Sequence, residues 1–310
     1  MKRCKVELAL GGGGTRGFAH VSVLRALEQE RIDVDCIAGT TMGALLGAMY
    51  AQSVDCDGVL ERFRKYLQSK EFRKTTPEFP QDSPFEESSS RGGIFHGFAS
   101  LIKKEFFYSQ SLRKRAPISE EEFAQNMNLL LEDIRLEETQ IPFAAVALDL
   151  NEGKEVVLRR GSLRMAVSAS CAIPGILPPI RIEGRELVDG GWIDRVPVRP
   201  AREMGANLVI AVEVAEGIYE SGDLTTGLDI VLRTNEICQF TLGQLQLEEA
   251  DIVIQPDLQG IHWSDFGHLE DCIRAGEEAT WKMMTGIRDP IKKKKLGNFF
   301  PFRISRTFLS

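Results

Sequence analysis

The sequence predicts an α/β fold, in which a mostly parallel central sheet is flanked by helices on both faces. Three observations support this fold class. Short apolar segments alternate along the chain with longer segments of helical periodicity. Glycine-rich turns at 11–17 and 39–43 each join an apolar segment to a helical one. The 310 residues are 43% hydrophobic and 27% charged, which is typical of a globular protein with a sizeable core.

The elements begin with a strand, a helix, a second strand and a second helix. The first strand is predicted at 4–10 and the first helix at 17–32, while the second strand is predicted at 34–39 and the second helix from 42. Further strands are predicted at 141–150, 208–214 and 250–256. Further helices are predicted at 162–171, 227–247 and 269–284. We expect a single domain over 1–289.

Two segments depart from this alternation. Residues 69–116 are turn-rich and then mix aromatic with basic side chains, which predicts an insertion or lid. The tail at 290–310 has six basic residues, four phenylalanines and no acidic residue. Basic and aromatic side chains together favour an anionic membrane surface, so 94–115 and 290–310 are candidates for peripheral membrane contact. The alternative is a solvated, disordered tail.

Charge and cysteine usage exclude several functions. The net charge of −7 argues against a nucleic-acid-binding protein, which would carry a basic domain. The six cysteines form no CxxC pair and the four histidines have no metal-ligand spacing, so no metal is expected. The N-terminal apolar run is too short for a signal peptide, and no run approaches the ~20 apolar residues of a membrane span. We therefore expect a cytoplasmic protein.

The first glycine-rich turn, GGGGTRG at 11–17, follows a strand and opens a helix. Its backbone N–H groups, with the helix dipole behind them, can bind an anion. The turn matches the GxGxxG pattern of dinucleotide sites, with Asp33 or Asp35 near the position of a ribose contact. The same N–H groups could form an oxyanion hole for acyl transfer, or the glycines could serve packing alone. The turn by itself leaves all three interpretations open.

The second turn has the context of a GxSxG nucleophile elbow, because Gly39 and Gly43 place Thr41 between a strand and a helix. In a dinucleotide-binding unit the acidic residue would end the second strand. Asp33 and Asp35 instead precede or begin it, which disfavours a nicotinamide or flavin oxidoreductase. The alternative interpretation is a plain strand-to-helix turn with Thr41 as helix N-cap.

A third motif, Asp189-Gly190-Gly191, follows the segment GRELV. Taken alone, Asp-Gly most often marks a hairpin turn. Beside an exposed hydroxyl, however, the aspartate can be a general base if direct contact and a partly dry pocket raise its proton affinity. His20 and the other three histidines show no spacing that marks a catalytic triad.

Together these segments resemble the patatin-like phospholipase family, particularly its compact bacterial members. LGGGGTRGFAHVSVLRAL resembles the oxyanion-loop block, IAGTTMGALLGAMYA the elbow block, AVSASCAIPGILPP the middle block with Ser170 and Pro174, and LVDGGWIDRVPV the block with the catalytic aspartate. The resemblance implies a catalytic dyad of Thr41 and Asp189, without histidine or cofactor. It also implies oxyanion N–H groups from Gly12, Gly13 and Gly14. Supporting positions of these motifs are Arg16, Gly17, Gly39, Gly43, Gly190 and Gly191.

The family has serine where this chain has Thr41. The second Cβ substituent of threonine stiffens χ1 and crowds an approaching ester, so activity is expected to be reduced or abolished. A slow natural hydrolase, a natural non-catalytic descendant and an introduced substitution are all consistent with the sequence. The expected function is lipid acyl hydrolysis, and the alternative is a catalytically silent lipid- or acyl-binding protein of the same fold.

Overall fold

The computed structural model describes residues 4–75, 115–215, 217–218, 224 and 226–295, and within them eight strands form one mixed sheet. The strands are β1 (Val6–Leu10), β2 (Cys36–Gly39), β3 (Phe143–Asp149), β4 (Lys154–Leu158), β5 (Ile180–Ile182), β6 (Arg185–Asp189), β7 (Leu208–Val212) and β8 (Ile252–Ile254). The helices are α1 (Ala19–Gln29), α2 (Met42–Ser53), α3 (Cys56–Leu67), α4 (Lys70–Thr75), α5 (Glu120–Leu130), α6 (Leu163–Cys171), α7 (Val198–Glu203), α8 (Gly227–Leu247) and α9 (Leu269–Lys295).

Hydrogen-bonded neighbours connect the strands in the sequence β5-β6-β3-β2-β1-β7-β8, and β4 also pairs with β3. Every pair from β3 through β2, β1 and β7 to β8 is parallel. The pairs that involve β4, β5 and β6 are antiparallel. The sheet is therefore mostly parallel and carries helices, which confirms the predicted fold class.

Helices cover both faces of the sheet, and β1 packs against them in both directions. Successive side chains of a strand point to opposite faces. Leu8 and Leu10 pack in a core with α1, α2 and α9, whereas Ala9 packs in a second core with Ala201 of α7 and Leu247 of α8. All five residues of β1 are buried, as is typical of a central parallel strand.

Strands β2 and β6 lie on the same side of β3. Ala145 pairs with Gly39 of β2 and with Leu158 of β4, so β2 and β4 flank β3 on opposite sides. Ala147 pairs with β4 and with Asp189 of β6, so β6 lies opposite β4 as well. The carboxyl end of β6 consequently faces the carboxyl end of β2, two residues further along β3. This register brings Asp189 to the turn that follows Gly39.

The predicted insertion and tail lie largely outside the described residues. Of the segment 69–116, the structure describes Ser69, helix α4 and residues 115–116, and the aromatic-basic stretch at 94–114 is not among the described residues. Helix α9 includes 290–295, the first six residues of the tail. Residues 296–310 are outside the description as well. Among the described helices, none combines the length and apolarity that a membrane span requires.

Candidate active site

The turn between β2 and α2 holds Thr41 in a strained backbone conformation. Its φ of 54° and ψ of −118° lie where a β-branched residue is costly, by about 1–3 kcal/mol. The flanking glycines allow this turn, because a Cβ on Gly39 would come within 2.6 Å of the Ala44 backbone and one on Gly43 would overlap the Leu10 carbonyl. The chain therefore bends sharply and exposes the Thr41 side chain at the start of a helix.

The hydroxyl of Thr41 is hydrogen-bonded to a carboxylate. Its Oγ1 donates to Asp189 Oδ1 at 2.6 Å, across 148 residues of sequence. Thr41 occupies the N-cap position of α2, but its side chain makes no capping hydrogen bond. The N-cap interpretation of this turn is therefore wrong for the side chain, which points to the aspartate.

Asp189 ends β6 and lies 4% exposed beside the elbow. Its Oδ1 also accepts the N–H of Gly191 at 2.7 Å. Burial raises the pKa of Asp189 to about 6, and the hydrogen bonds from Thr41 and Gly191 lower it less than burial raises it. A Cβ on Gly190 would approach the carbonyl carbon of Val146 to 2.7 Å, so this position requires glycine.

The hairpin interpretation of Asp189-Gly190 is not realised. Asp189 is followed by a 3₁₀ turn, Gly190–Trp192. The hairpin between β5 and β6 turns instead at Glu183 and Gly184, which have φ values of 51° and 79°. Left-handed backbone at two successive residues is the signature of a tight two-residue hairpin.

Helix α6 holds the elbow from the other side. Ser170 Oγ accepts the backbone N–H of Thr41 at 3.1 Å, and Cys171 Sγ donates to the Thr41 carbonyl at 3.1 Å. Thr40 Oγ1 donates to the carbonyl of Asp194 at 2.9 Å, which ties the elbow to the loop after Asp189. No local signal reveals these contacts, although Ser170 lies in a segment that already resembles a family block.

The glycine loop after β1 lies against the Thr41 hydroxyl. A Cβ on Gly12 would lie 2.7 Å from Thr41 Oγ1, so only glycine permits this approach. The Gly12 N–H donates to the Arg195 carbonyl at 3.0 Å. Within the described ranges, the N–H groups of Gly13 and Gly14 donate to no acceptor. The Gly12 N–H, one of the three predicted oxyanion donors, is thus engaged by Arg195 in this conformation.

Arg16 and Gly17 support this loop from within. Arg16 is 6% exposed, and its Nε donates to the Gly13 carbonyl at 3.4 Å. A Cβ on Gly17 would approach Met42 Cβ to 2.7 Å, so glycine lets the loop pack against the first turn of α2. Arg16 therefore packs under the loop.

A dinucleotide at the glycine loop would lack the ribose ligand that the sequence suggested. Asp35 Oδ2 accepts the Val6 N–H at 2.8 Å, at the amino end of the strands. The glycines follow the carboxyl end of β1, at the opposite edge of the sheet. Asp35 is therefore too far along the sheet to serve as their ribose ligand. Among the described residues, no group of three histidine, cysteine or acidic side chains could hold a metal ion.

The fold and the residues at its carboxyl edge define a class of α/β proteins in which a hydroxyl sits on a strand-to-helix elbow beside a buried aspartate. The model of the family described as "Patatin-like phospholipase" matches residues 8–202. The chain belongs to the patatin-like phospholipase family. Both the glycine loop and the Asp189 motif lie inside the matched range.

Several curated proteins are similar to this chain. An uncharacterised NTE family protein of Mycobacterium tuberculosis is 33% identical over 210 residues, which are 68% of this chain and 49% of that protein. The human patatin-like phospholipase domain-containing protein 6 is 31% identical over 71% of this chain and 14% of its own length. Lysophospholipase NTE1 of Candida glabrata is 27% identical over 88% of this chain and 16% of its own length. This chain spans about half the length of the mycobacterial relatives it matches.

Among solved structures, human GIVD cytosolic phospholipase A2 aligns with a TM-score of 0.48 at 12% identity, over 93% of this chain and 60% of that chain.

Proposed function

We propose that this chain is a lipid acyl hydrolase whose nucleophile is the Thr41 hydroxyl and whose general base is Asp189. The observation that carries the proposal is the 2.6 Å hydrogen bond from Thr41 Oγ1 to Asp189 Oδ1, in a chain of the patatin-like phospholipase family. Names of relatives such as lysophospholipase NTE1 support lipid esters as the substrate class. A base in direct contact with the hydroxyl removes the need for a histidine.

The reaction follows from the positions of these groups. Asp189 accepts the hydroxyl proton while Oγ1 attacks the ester carbonyl and forms a tetrahedral oxyanion. The N–H groups of Gly13 and Gly14 stabilise that oxyanion. The C–O bond then breaks, Asp189 returns the proton to the leaving alcohol, and an acyl–Thr41 ester remains. Asp189 next takes a proton from water, whose oxygen attacks the acyl ester. The bond between the acyl carbon and Thr41 Oγ1 then breaks, Asp189 returns its proton to Oγ1, and the fatty acid leaves.

Threonine limits this chemistry. The strained φ of 54° already disfavours a β-branched residue, and the extra methyl restricts the rotation of Oγ1 towards a substrate. Displacement of a reacting atom by about 1 Å can cost about 100-fold in rate. We therefore infer that the chain is a slow hydrolase and that serine at position 41 would be a faster nucleophile.

The test is Thr41→Ser with and without Asp189→Asn. Serine is expected to raise release of p-nitrophenol from short- and medium-chain esters, and of fatty acid from phospholipid vesicles, by about 10- to 100-fold. Adding Asp189→Asn should abolish the gain, because an amide cannot accept the hydroxyl proton. The matched control is Asp149→Asn, which neutralises another buried carboxylate that accepts backbone N–H groups and lies outside the dyad.

The second candidate function is a catalytically silent lipid- or acyl-binding protein, favoured by Thr41 at the nucleophile position. It would be the correct one if the folded serine variant hydrolysed no ester faster than the parent. Circular dichroism checks the fold of each variant. If the parent were already fast and serine added nothing, the threonine methyl would not hinder catalysis, and the chain would still be a hydrolase.

We also infer peripheral membrane contact through 94–115 and 290–310. Helix α9 extends to Lys295, so a truncated chain should end there and not at 289. The 310-residue chain should co-sediment with phosphatidylglycerol vesicles better than the 1–295 chain, which lacks the four phenylalanines of the tail. Replacing the four lysines at 292–295 with glutamine should weaken binding mainly at low salt. Equal binding of all three proteins would rule out the tail as a contact.

A further inference from the structure

One peptide unit of the glycine loop is held at both of its polar ends. The N–H of Gly12 donates to the Arg195 carbonyl at 3.0 Å. The carbonyl of Gly11, which belongs to the same peptide unit, lies 2.8 Å from His20 Nε2. A glycine has no side chain of its own to fix its orientation, and its backbone is the most permissive of all residues. The direction of this peptide therefore depends on its two partners.

The hydrogen-bonding role of His20 follows from its surroundings. His20 lies in α1 with no exposed surface, and burial lowers its pKa to about 4, so the ring is neutral near pH 7. A carbonyl can only accept, so Nε2 must carry the proton and donate it to Gly11. Nδ1 is then a bare acceptor, and among the described residues it has no hydrogen-bond partner.

If the only role of position 20 were packing, an imidazole would be less favourable there than an apolar side chain. A buried polar atom without a partner costs free energy, and an apolar side chain of similar size would avoid that cost. What the imidazole supplies, and an apolar side chain would not, is the Nε2–H that fixes the Gly11 carbonyl. A Cβ on Gly12 would lie 2.7 Å from Thr41 Oγ1, so rotation of this peptide would alter the loop beside the nucleophile.

We propose that His20 is a positioning residue that sets the Gly11–Gly12 peptide and thereby aims the N–H groups of Gly13 and Gly14 at the tetrahedral intermediate. The proposal rests on the proposed hydrolase function. His20 touches neither substrate nor dyad, so its effect passes through the loop backbone. Its loss should therefore weaken stabilisation of the transition state and leave substrate binding nearly unchanged.

The kinetic test uses the Thr41→Ser background and three further changes. His20→Leu removes the donor and should lower kcat by about 10- to 100-fold with KM changed less than about 3-fold. His20→Gln offers an amide N–H near the position of Nε2 and should restore most of kcat. Ser22→Ala is the matched control, because Ser22 also makes a buried side-chain hydrogen bond to backbone in α1, to Ala19 at 2.9 Å, but not to the loop. It should leave kcat unchanged.

A second kinetic readout separates positioning from general damage. A trifluoromethyl ketone, which forms a tetrahedral adduct with the nucleophile, should lose affinity in His20→Leu by the same factor as kcat/KM. Titration with a fluorophosphonate counts the reactive sites. If the loss in rate were matched by a loss of titratable sites, or if His20→Gln were as slow as His20→Leu at equal stability, the positioning role would be wrong.

A measurement that needs no catalysis keeps the two proposals distinguishable. The amide ¹H–¹⁵N shifts of Gly12, Gly13 and Gly14 report the loop directly. They should move in His20→Leu, return towards the parent values in His20→Gln and stay in place in Ser22→Ala. Unchanged shifts in His20→Leu would overturn the role of His20 whatever the activity. Shifted amides with an inactive Thr41→Ser enzyme would support the loop role and refute the hydrolase proposal.

Discussion

Two hydrogen bonds to a single carboxylate oxygen shape the chemistry of Asp189. Thr41 Oγ1 and the Gly191 N–H both donate to Oδ1, and both favour the ionised form. Burial opposes them and is the larger effect, so the pKa of Asp189 rises to about 6. A base is most effective when its pKa lies near the working pH. The carboxylate is thus ionised at neutral pH and yet basic enough to accept a proton.

The pH dependence of the serine variant tests this balance. Because Asp189 must be ionised to act as base, kcat/KM of Thr41→Ser should rise with pH through about 6 and level off above it. The measurement is a pH–rate profile between pH 4.5 and 8 with a neutral ester. A profile that is flat over this range, or half-maximal near the ordinary carboxyl value of about 4, would contradict it.

Ionised Asp189 lowers the stability of the fold in the pH range in which it can act as a base. The folded-state pKa lies above the unfolded value, so the folded protein loses stability as pH rises through that interval. Asp189→Asn keeps an oxygen that can accept both hydrogen bonds and removes the buried charge. This variant should unfold in urea with a free energy up to about 3 kcal/mol higher than the parent above pH 7, with little difference at pH 4. Equal stability at both pH values would exclude a buried charge at this site.

At the scale of elements, the sequence predicts the parallel half of the sheet well. Strands β1, β2, β7 and β8 lie within two residues of their predicted bounds, helix α2 begins at its predicted residue, and helix α8 has its predicted bounds. The antiparallel strands β4, β5 and β6 are not predicted as strands, because short amphipathic segments give little periodic signal. Thr41 and Asp189 are predicted from motifs. Ser170, His20 and Arg195 contact the site only through tertiary packing, which no local pattern encodes.

Helix α8 contributes another residue that reaches the site only through tertiary packing. Gln246 donates to the Ile193 carbonyl at 2.7 Å and accepts the Arg195 N–H at 3.3 Å. It therefore braces the loop whose carbonyls receive the Gly12 N–H and the Thr40 hydroxyl. Gln246→Leu in the Thr41→Ser background should lower kcat by about 10-fold. The carbonyls that hold the glycine loop and the elbow would then no longer be fixed in position.

The control for this effect lies on the same helix. Gln244→Leu changes the same residue type two positions earlier, where, among the described residues, no side-chain hydrogen bond reaches the loop at 193–195. It should keep the full rate of the serine variant. Thermal unfolding of both variants checks that any difference in rate is not a difference in folded fraction. Equal rates for the two variants would mean that Gln246 does not position the site.

Across the whole molecule, burial acts on several carboxyl groups in the same direction. Burial raises the pKa of Glu7 to about 7 and raises the pKa of Glu213. Burial together with the neighbouring Glu155 raises the pKa of Asp194. With Asp189, these groups lie on or beside the central sheet, where a soluble α/β protein usually holds apolar side chains. The folded chain therefore retains protons that the unfolded chain has already released.

This proton retention predicts an unusual pH dependence of global stability. Between the ordinary carboxyl value of about 4 and the raised folded values, the folded state binds more protons, so the free energy of unfolding falls as pH rises. His20, whose pKa is lowered to about 4, acts in the opposite direction, but only below its ordinary value of about 6.5. The clearest window is therefore pH 6.5 to 8, where each retained proton contributes up to about 1.4 kcal/mol per pH unit.

Glu7 offers the sharpest test of this pH dependence. Its carboxylate is buried beside the Cys36 thiol, whose hydrogen bond opposes the rise in the pKa of Glu7 less strongly than burial causes it, and it lies at the amino end of the sheet, away from the dyad. Glu7→Gln removes the titrating proton and should flatten the fall in unfolding free energy between pH 6.5 and 8. The control is Glu61→Gln. Glu61 is exposed and its pKa is lowered by Lys65, so this substitution should leave the slope unchanged. Urea unfolding at half-unit pH steps measures both. If the parent grew more stable from pH 6.5 to 8, or if Glu7→Gln kept the full slope, Glu7 would not be a retained proton of the folded state.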